Sequence, residues 1–401
     1  MLVEALTLQL GYNATLVVIG ATLLGMSAGV TGTFLFLRKR ALVSDAISHA
    51  TLPGIGLAFI VMVFLGGDGR SLPGLLAGSA LTAGIGLLCV GWLTRYTRLS
   101  EDAAIGAVLS VFFGFGIVLL TVIQTLGAGR QAGLDSFLLG STAGMLWSDA
   151  MVIAIGGTVT LTLVLLLHRP MTLVSFDPDY ATARGLNVGR IDLAMMGLVM
   201  AVTVVGLKIV GLILIVAMLI IPAVAARFWT ERADRVALLA GAVGGVSGYV
   251  GAALSASAPN LPTGPIIVLV TFAVFLVSLL GAPSRGVLAA VLRFRRYQRR
   301  VHLRQGLLAL AQGQPIYEKL TLRLLRRAGL ARADGVATEA GRARAAKALR
   351  DEKRWEIVRS DHAHEAAAQL YDGLRPIESI LTQDQIRDID RRIGRPREVP
   401  L

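Results

Sequence analysis

The sequence predicts an all-α, polytopic membrane protein of about eight or nine transmembrane helices, followed by a small, mainly helical cytoplasmic C-terminal domain. Three observations predict it. The 401 residues are 54% hydrophobic, with a mean hydropathy of +0.67. Only 16% are charged, against about a quarter in a soluble domain, which excludes an ordinary soluble enzyme and a disordered chain. Charge is also segregated: residues 1–285 carry 15 Lys+Arg and 12 Asp+Glu, and residues 286–401 carry 24 and 14. A nearly neutral apolar body therefore precedes a basic polar tail. Glycine, at 45 residues, suits closely packed membrane helices. The single cysteine, Cys89, lies in an apolar run, so neither an intrachain disulfide nor a cysteine-based zinc site is available.

Glu4 and the lack of a basic n-region argue against a cleaved signal peptide. Apolar runs follow at 13–37, 41–66, 72–93, 105–126, 148–167, 191–207, 209–226, 235–254 and 264–282, each near the length that crosses about 30 Å of hydrocarbon. The sixth and seventh runs have almost no connection between them. The piece 134–146 is apolar but short and reads as an interfacial or re-entrant segment. Alternate connections hold Arg38, Lys39, Arg40, Arg95, Arg98, Arg169, Arg184, Arg190, Arg227, Arg232, Arg235 and Arg285, against Arg70, Arg130 and Lys208 in the other set. That bias places the N-terminus outside and the tail in the cytoplasm, as nine spans require.

Ionisable residues within spans are rare because burying them in lipid is costly, so they point to function. The second run opens ALVSDAISHATLPGIGLAF. Asp45 and His49 stand four residues apart and share one helix face, with Ser48 and Leu52 nearby. A carboxylate and an imidazole suit Mn(II), Fe(II) or Zn(II). The spacing is equally that of two side chains that only hydrogen-bond each other near the interface. Two ligands are also too few for a closed metal site, though a transport site can be completed by water or by a second copy of the helix. Pro53 loosens the helix one turn later.

No G-x-x-x-x-G-K-[ST] occurs, so the chain carries no P-loop ATPase. No series of acids runs through the spans, which weakens a proton-driven carrier. Active transport would draw on a partner subunit. The loop 168–190 is the longest internal connection. Within it Asp177 can cap a helix over 178–184 that starts on Pro178 and ends at Gly185 in the left-handed conformation. Such a helix can transmit a push from a soluble partner, or lie on lipid headgroups.

RKRALVSDAISHATLPGIGLAF resembles the hallmark segment of the metal-importing ABC-3 permeases, the membrane subunits of bacterial manganese, zinc and iron ABC importers. SFDPDYATARGLNV resembles that family's coupling segment, and VVGLKIVGLILIVAMLIIPAVAARF and LPTGPIIVLV resemble its later spans. FLLGSTAGMLWSD is similar to the wider group of type II importers. The resemblance covers about residues 10–282. It implies a type II importer fold in which two permease subunits, identical or paralogous, sit on two ABC ATPase subunits. A periplasmic or lipid-anchored metal-binding protein would deliver the cation. It also implies that Asp45 and His49 take a metal role and that Asp177, Pro178, Asp179, Tyr180, Ala183, Arg184 and Gly185 dock on the ATPase.

Residues 286–302 read as a basic juxtamembrane linker helix, with Arg293, Arg295, Arg296, Arg299 and Arg300 near anionic membrane lipids. Residues 303–401 resemble part of the iron/manganese-dependent repressor family, a winged helix followed by a linking helix. The likeness does not extend to the metal ligands. Glu352 stands where the repressor pattern has a histidine, and Tyr371 and Asp372 replace its later Glu-His pair. Asp361, His362, His364 and Glu365 remain as weak candidate ligands beside the simpler reading of a solvated helix face. The reader half of the winged helix is short, so no nucleic-acid partner is expected, and lipid or the ATPase accounts for the basic charge.

The sequence thus predicts a non-enzymatic permease in the bacterial inner membrane, made of a permease domain 1–285, a linker 286–302 and a tail domain 303–401. It would pass Mn²⁺, or Zn²⁺ or Fe²⁺, by alternating access, with the metal as cargo and no cofactor. The alternatives are a permease for a siderophore or corrinoid chelate and a membrane-tethered metal sensor. An intramembrane metalloprotease lacks its H-E-x-x-H pair.

Overall fold

The computed structural model describes residues 4, 7, 9, 11–67, 69, 71–125, 147–258, 261–360 and 365–393. The chain divides into two compact units, Met1–Ala289 and Ala290–Leu401. The first unit contains α1 (Tyr12–Leu37), α2 (Ala41–Phe64), α3 (Leu72–Tyr96), α4 (Glu101–Thr125), α5 (Trp147–Phe176), α6 (Pro178–Ala183), α7 (Val188–Val210), α8 (Leu212–Arg227), α9 (Ala233–Ala256) and α10 (Thr263–Gly281). The described residues include eight helices long and apolar enough to cross a membrane. No strand occurs among the described residues beyond one isolated antiparallel bridge, Ala331–Ala337.

Small residues set how the helices pack. A Cβ added at Gly25 of α1 would lie 2.2 Å from the Gly244 carbonyl oxygen of α9, and one at Gly248 would lie 2.3 Å from that of Ala21. The two backbones touch because neither side carries a side chain there, as lipid-embedded helices require when apolar burial alone does not drive association. α2 is seated in the same way. Gly54 meets the Gly78 carbonyl of α3, and Gly116 of α4 meets Leu52 and Pro53.

One feature differs from the sequence expectation. The fifth span does not stop at 167: α5 continues through His168, Arg169 and Pro170 to Phe176. A proline costs a helix one hydrogen bond without ending it when neighbouring packing holds the backbone, and Met171 and Val174 beyond it are fully buried. The loop 168–190 therefore shrinks to the segment around α6. The sixth and seventh runs form two helices broken at Gly211, whose φ is 79°. An added Cβ at Gly206 would meet the Ile215 side chain at 2.5 Å. A continuous helix would hold those positions about 13.5 Å apart, so the chain turns back at Gly211. α8 has only 16 residues, and Ile215, Met218, Leu219, Ala223, Ala225 and Ala226 are buried in it. The expected re-entrant piece 134–146 lies outside the described residues.

In the second unit, α11 (Val287–Ala311) runs unbroken through residue 302, so the linker and tail ranges read from the sequence meet inside one helix. Gly306 receives Leu325 and Thr321 of α12 (Lys319–Arg327). Leu325, Leu330 and Ala331 form one small core with Leu303, Leu307 and Leu310. A second core gathers Trp355 and Val358 of α13 (Glu339–Ser360) with Ile377, Leu381, Ile386 and Ile389. The short α14 (Glu365–Ala368) and α15 (Gln383–Ile393) complete the unit. Arg354 forks onto Asp390 at 2.7 and 2.6 Å and also reaches Asp351 at 3.0 Å, joining α13 to α15.

Candidate metal site and coupling segment

Asp45 and His49 fall on adjacent turns of α2, as their spacing predicts. Asp45 Oδ1 stands 3.5 Å from His49 Nε2, longer than a good hydrogen bond. Two ligands held about 2.1 Å from a tetrahedrally coordinated ion stand about 3.4 Å apart, so the separation is compatible with a shared cation as well as with a direct ion pair. The His49 ring meets Phe113 of α4 edge-on, with centroids 5.0 Å apart. His49 Nδ1 is buried without a hydrogen-bond partner. Asp45 is the open member, its side chain 41% exposed against 18% for His49.

The hydroxyls beside the pair are engaged locally. Ser48 donates to the Ser44 carbonyl at 2.8 Å and Thr51 to that of Ser48 at 2.6 Å. Among the described residues no group of three His, Cys, Asp or Glu side chains could hold a metal ion. Any further ligand at Asp45 and His49 would come from water or from beyond the described residues.

The coupling segment takes the local form its residues encode. Asp177 Oδ1 accepts the Tyr180 amide at 2.8 Å, Pro178 opens α6, and Gly185 closes it at φ 81°. The helix ends at Ala183, one residue earlier than the sequence predicts. Asp177, Pro178, Asp179, Tyr180, Ala183, Arg184 and Gly185 are all exposed. Ala181 alone is buried, in a cluster with Phe34 of α1, Met171 and Val174 of α5 and Met195 and Leu198 of α7.

One part of this region has no local sequence signal. Arg38 Nη2 lies 2.6 Å from Asp192 Oδ2, and Arg38 Nη1 donates to the Val174 carbonyl at 3.0 Å. Arg40 contacts Asp192 at 3.3 Å and Glu101 at 2.8 Å. The turn between α1 and α2, seven residues ahead of Asp45, is thereby tied to α5, α7 and α4. Lys39 between the two arginines sits in the left-handed region at φ 59°. His168 of α5 separately pairs with Asp234 of α9 at 2.9 Å.

In the tail, Glu352 and Tyr371 belong to an ion-pair network. Tyr371 Oη donates to Glu352 Oε1 at 2.9 Å, and Arg304 Nη2 donates to Glu352 Oε2 at 2.5 Å. Arg359 lies over the Tyr371 ring at 4.7 Å. Burial pushes the Glu352 carboxyl upward, but the hydrogen bonds from Arg304 and Tyr371 outweigh it and hold the group below its usual range. Asp372 caps its own turn, accepting the amides of Leu374 and Arg375. Asp361, His362 and His364 lie outside the described residues, as does the Glu365 side chain.

Apolar helices of spanning length, with Asp45–His49 among their ion pairs and an exposed capped helix α6, define a multi-pass membrane protein. The model of the ABC 3 transport family matches residues 12–282, and the chain belongs to that family. It is 43% identical over 320 residues to the manganese transport system membrane protein MntC of Bacillus subtilis (strain 168), covering 80% of this chain and 72% of that one. It is 40% identical over 285 residues to the zinc transport system membrane protein TroC of Treponema pallidum (strain Nichols), covering 71% and 94%. Its structure resembles PsaBC from Streptococcus pneumoniae in complex with Fab, with a TM-score of 0.63 at 29% identity, covering 74% of this chain and 100% of that one. The match to MntC is longer than residues 1–282 together, so it runs into the tail.

Proposed function

We propose that this chain is the membrane permease subunit of an ABC importer that carries a divalent transition metal, Mn²⁺ or Zn²⁺, into the cytoplasm. The observation that carries the reading is the Asp45–His49 pair. It is spaced at 3.5 Å, with a buried and unpartnered imidazole nitrogen, in the second span of a chain whose relatives are named for manganese and zinc transport. A carboxylate and one neutral imidazole bind such ions weakly, which suits passage, because a closed four-ligand cage would retain the cargo. The exposed Asp45 carboxylate leaves room for water or for the same pair of a second permease subunit to complete the coordination.

The basic residues at alternate helix ends support a cytoplasmic tail and an outside N-terminus. On that orientation α6 faces the cytoplasm. Its exposed residues meet a separate ATPase subunit, and a metal-binding protein delivers the cation on the other side. ATP hydrolysis belongs to the partner, because the chain has no phosphate-binding loop. A push on α6 reaches the cluster around Ala181 and, through Arg38 and Asp192, the start of α2.

The test is metal-resolved uptake in vesicles holding the permease, its ATPase and its binding protein. Asp45→Ala and His49→Ala should each lower Mn²⁺ or Zn²⁺ uptake at least tenfold while the complex still assembles. Wild-type uptake in both variants would sink the ligand role. Uptake of a metal chelate in preference to the free ion would replace the substrate.

A further inference from the structure

The second unit contains a cleft of about 700 Å³ between α11, α13 and the turn 372–376, within the size range of small-molecule sites. Five of its lining side chains are cationic: Arg300, Arg304, Arg344, Lys347 and Arg375. Three of these are neutralised within the chain, Arg304 by Glu352, Lys347 by Glu378 and Arg375 by Asp372. The cleft's two carboxylates are equally engaged, Asp351 by Arg354 and Asp372 by Arg375 and its own turn. Arg300 and Arg344 are left with no ion pair or hydrogen bond among the described residues, and each comes from a different helix.

We infer that this cleft is a site for an organic phosphate. Two guanidinium forks facing one space match the oxygens of a phosphate group, which arginine holds with paired, charge-assisted hydrogen bonds. Leu303 and Leu307 supply an apolar wall, and the Tyr297 ring, 56% exposed, offers a face for a flat group. The combination fits a phosphorylated molecule with an apolar or aromatic body better than a bare inorganic anion. Soluble nucleotides and phospholipid headgroups both carry that chemistry. The site lies wholly within the second unit and does not depend on the transport reading.

The experiment uses the full-length protein in detergent. Equilibrium dialysis with ADP and with inorganic phosphate is run beside native mass spectrometry for retained phospholipid, on the wild type and on the Arg300→Ala/Arg344→Ala double variant. Saturable ADP binding at one per chain, weakened about tenfold or more in the double variant, supports the site and a soluble source. A phospholipid retained by the wild type and lost from the double variant, without ADP binding, supports the site and places its source in the membrane. Absence of both, or binding equal in the two proteins, overturns it. Trp355 emission, read with Trp92, Trp147 and Trp229 changed to Phe in both proteins, reports whether the tail core survives. Should it change, Arg300→Gln and Arg344→Gln singly give the same reading.

Discussion

Arg38 and Asp192, 154 positions apart in the chain, lie 2.6 Å apart and partly buried, their side chains 16% and 15% exposed. The pair joins the turn that leads into α2 to the first turns of α7, one helix beyond the exposed α6. A buried charge whose partner is removed costs about 3–5 kcal/mol. Arg38→Ala should therefore reduce the folded yield, read as monodisperse protein after detergent extraction, well below that of Arg40→Ala. Arg40 divides its charge between Asp192 and Glu101 and is more exposed. Equal yields for the two variants would show that the Arg38 pair does not anchor the turn.

If Asp45 and His49 act on one ion, their losses will not add. Each single alanine variant removes half of the pair, and the survivor cannot hold the cation alone. The double variant should then take up metal no more slowly than the worse single variant, within about twofold. Losses that multiply would mean that the two residues act at separate points on the path.

The contact between α1 and α9 depends on missing side chains. Gly25→Val or Gly244→Val drives carbons into backbone at about 2 Å, where no rotamer can relieve the clash. Such variants should yield little folded protein, whereas Gly11→Ala, with nothing within 4 Å, should be neutral. Thermal unfolding followed by size-exclusion chromatography reads the difference.

The tail should have an acid limit set by Glu352 and Asp390. Both carboxyls are held below their usual range, Glu352 by Arg304 and Tyr371 against the opposing effect of burial, and Asp390 by Arg354. A depressed folded pKa contributes stability above the unfolded value of roughly 4, and that stability is lost as pH falls through the lower folded value. Tyr371 is raised, by burial and by Glu352, so its contribution holds below about pH 10 and fades above it. Trp355 emission, followed against pH in a chain with Trp92, Trp147 and Trp229 changed to Phe, should fall at both ends. Glu352→Gln should weaken the acid step.

What the sequence made legible is mostly what is local. Asp177, Pro178 and Gly185 encode α6 within nine residues, and each does in the structure what its chemistry predicts. The D-x-x-x-H spacing placed Asp45 and His49 on one face because helix periodicity alone decides that. The end of the fifth apolar run at 167 misled, since burial of Met171 and Val174 carries the helix on through Pro170 and no local pattern records that packing. Arg38 with Asp192, Gly25 with Gly244 and Glu352 with Tyr371 are tertiary pairs, and nothing in either member's neighbours announces the other. The two runs on either side of Gly211 were legible as separate spans, but the shortness of the second, a 16-residue helix, was not.

The turn at Gly211 also bears on how the protein reaches its membrane. A helix of 16 residues is about 24 Å long, short of the roughly 30 Å hydrocarbon layer. α8 is thus poorly suited to partition by itself as it leaves the insertion machinery. Its place in the membrane rests on the neighbours it packs against, α1 before it in the chain and α9 and α10 after it, so the bundle secures a station that its own length does not.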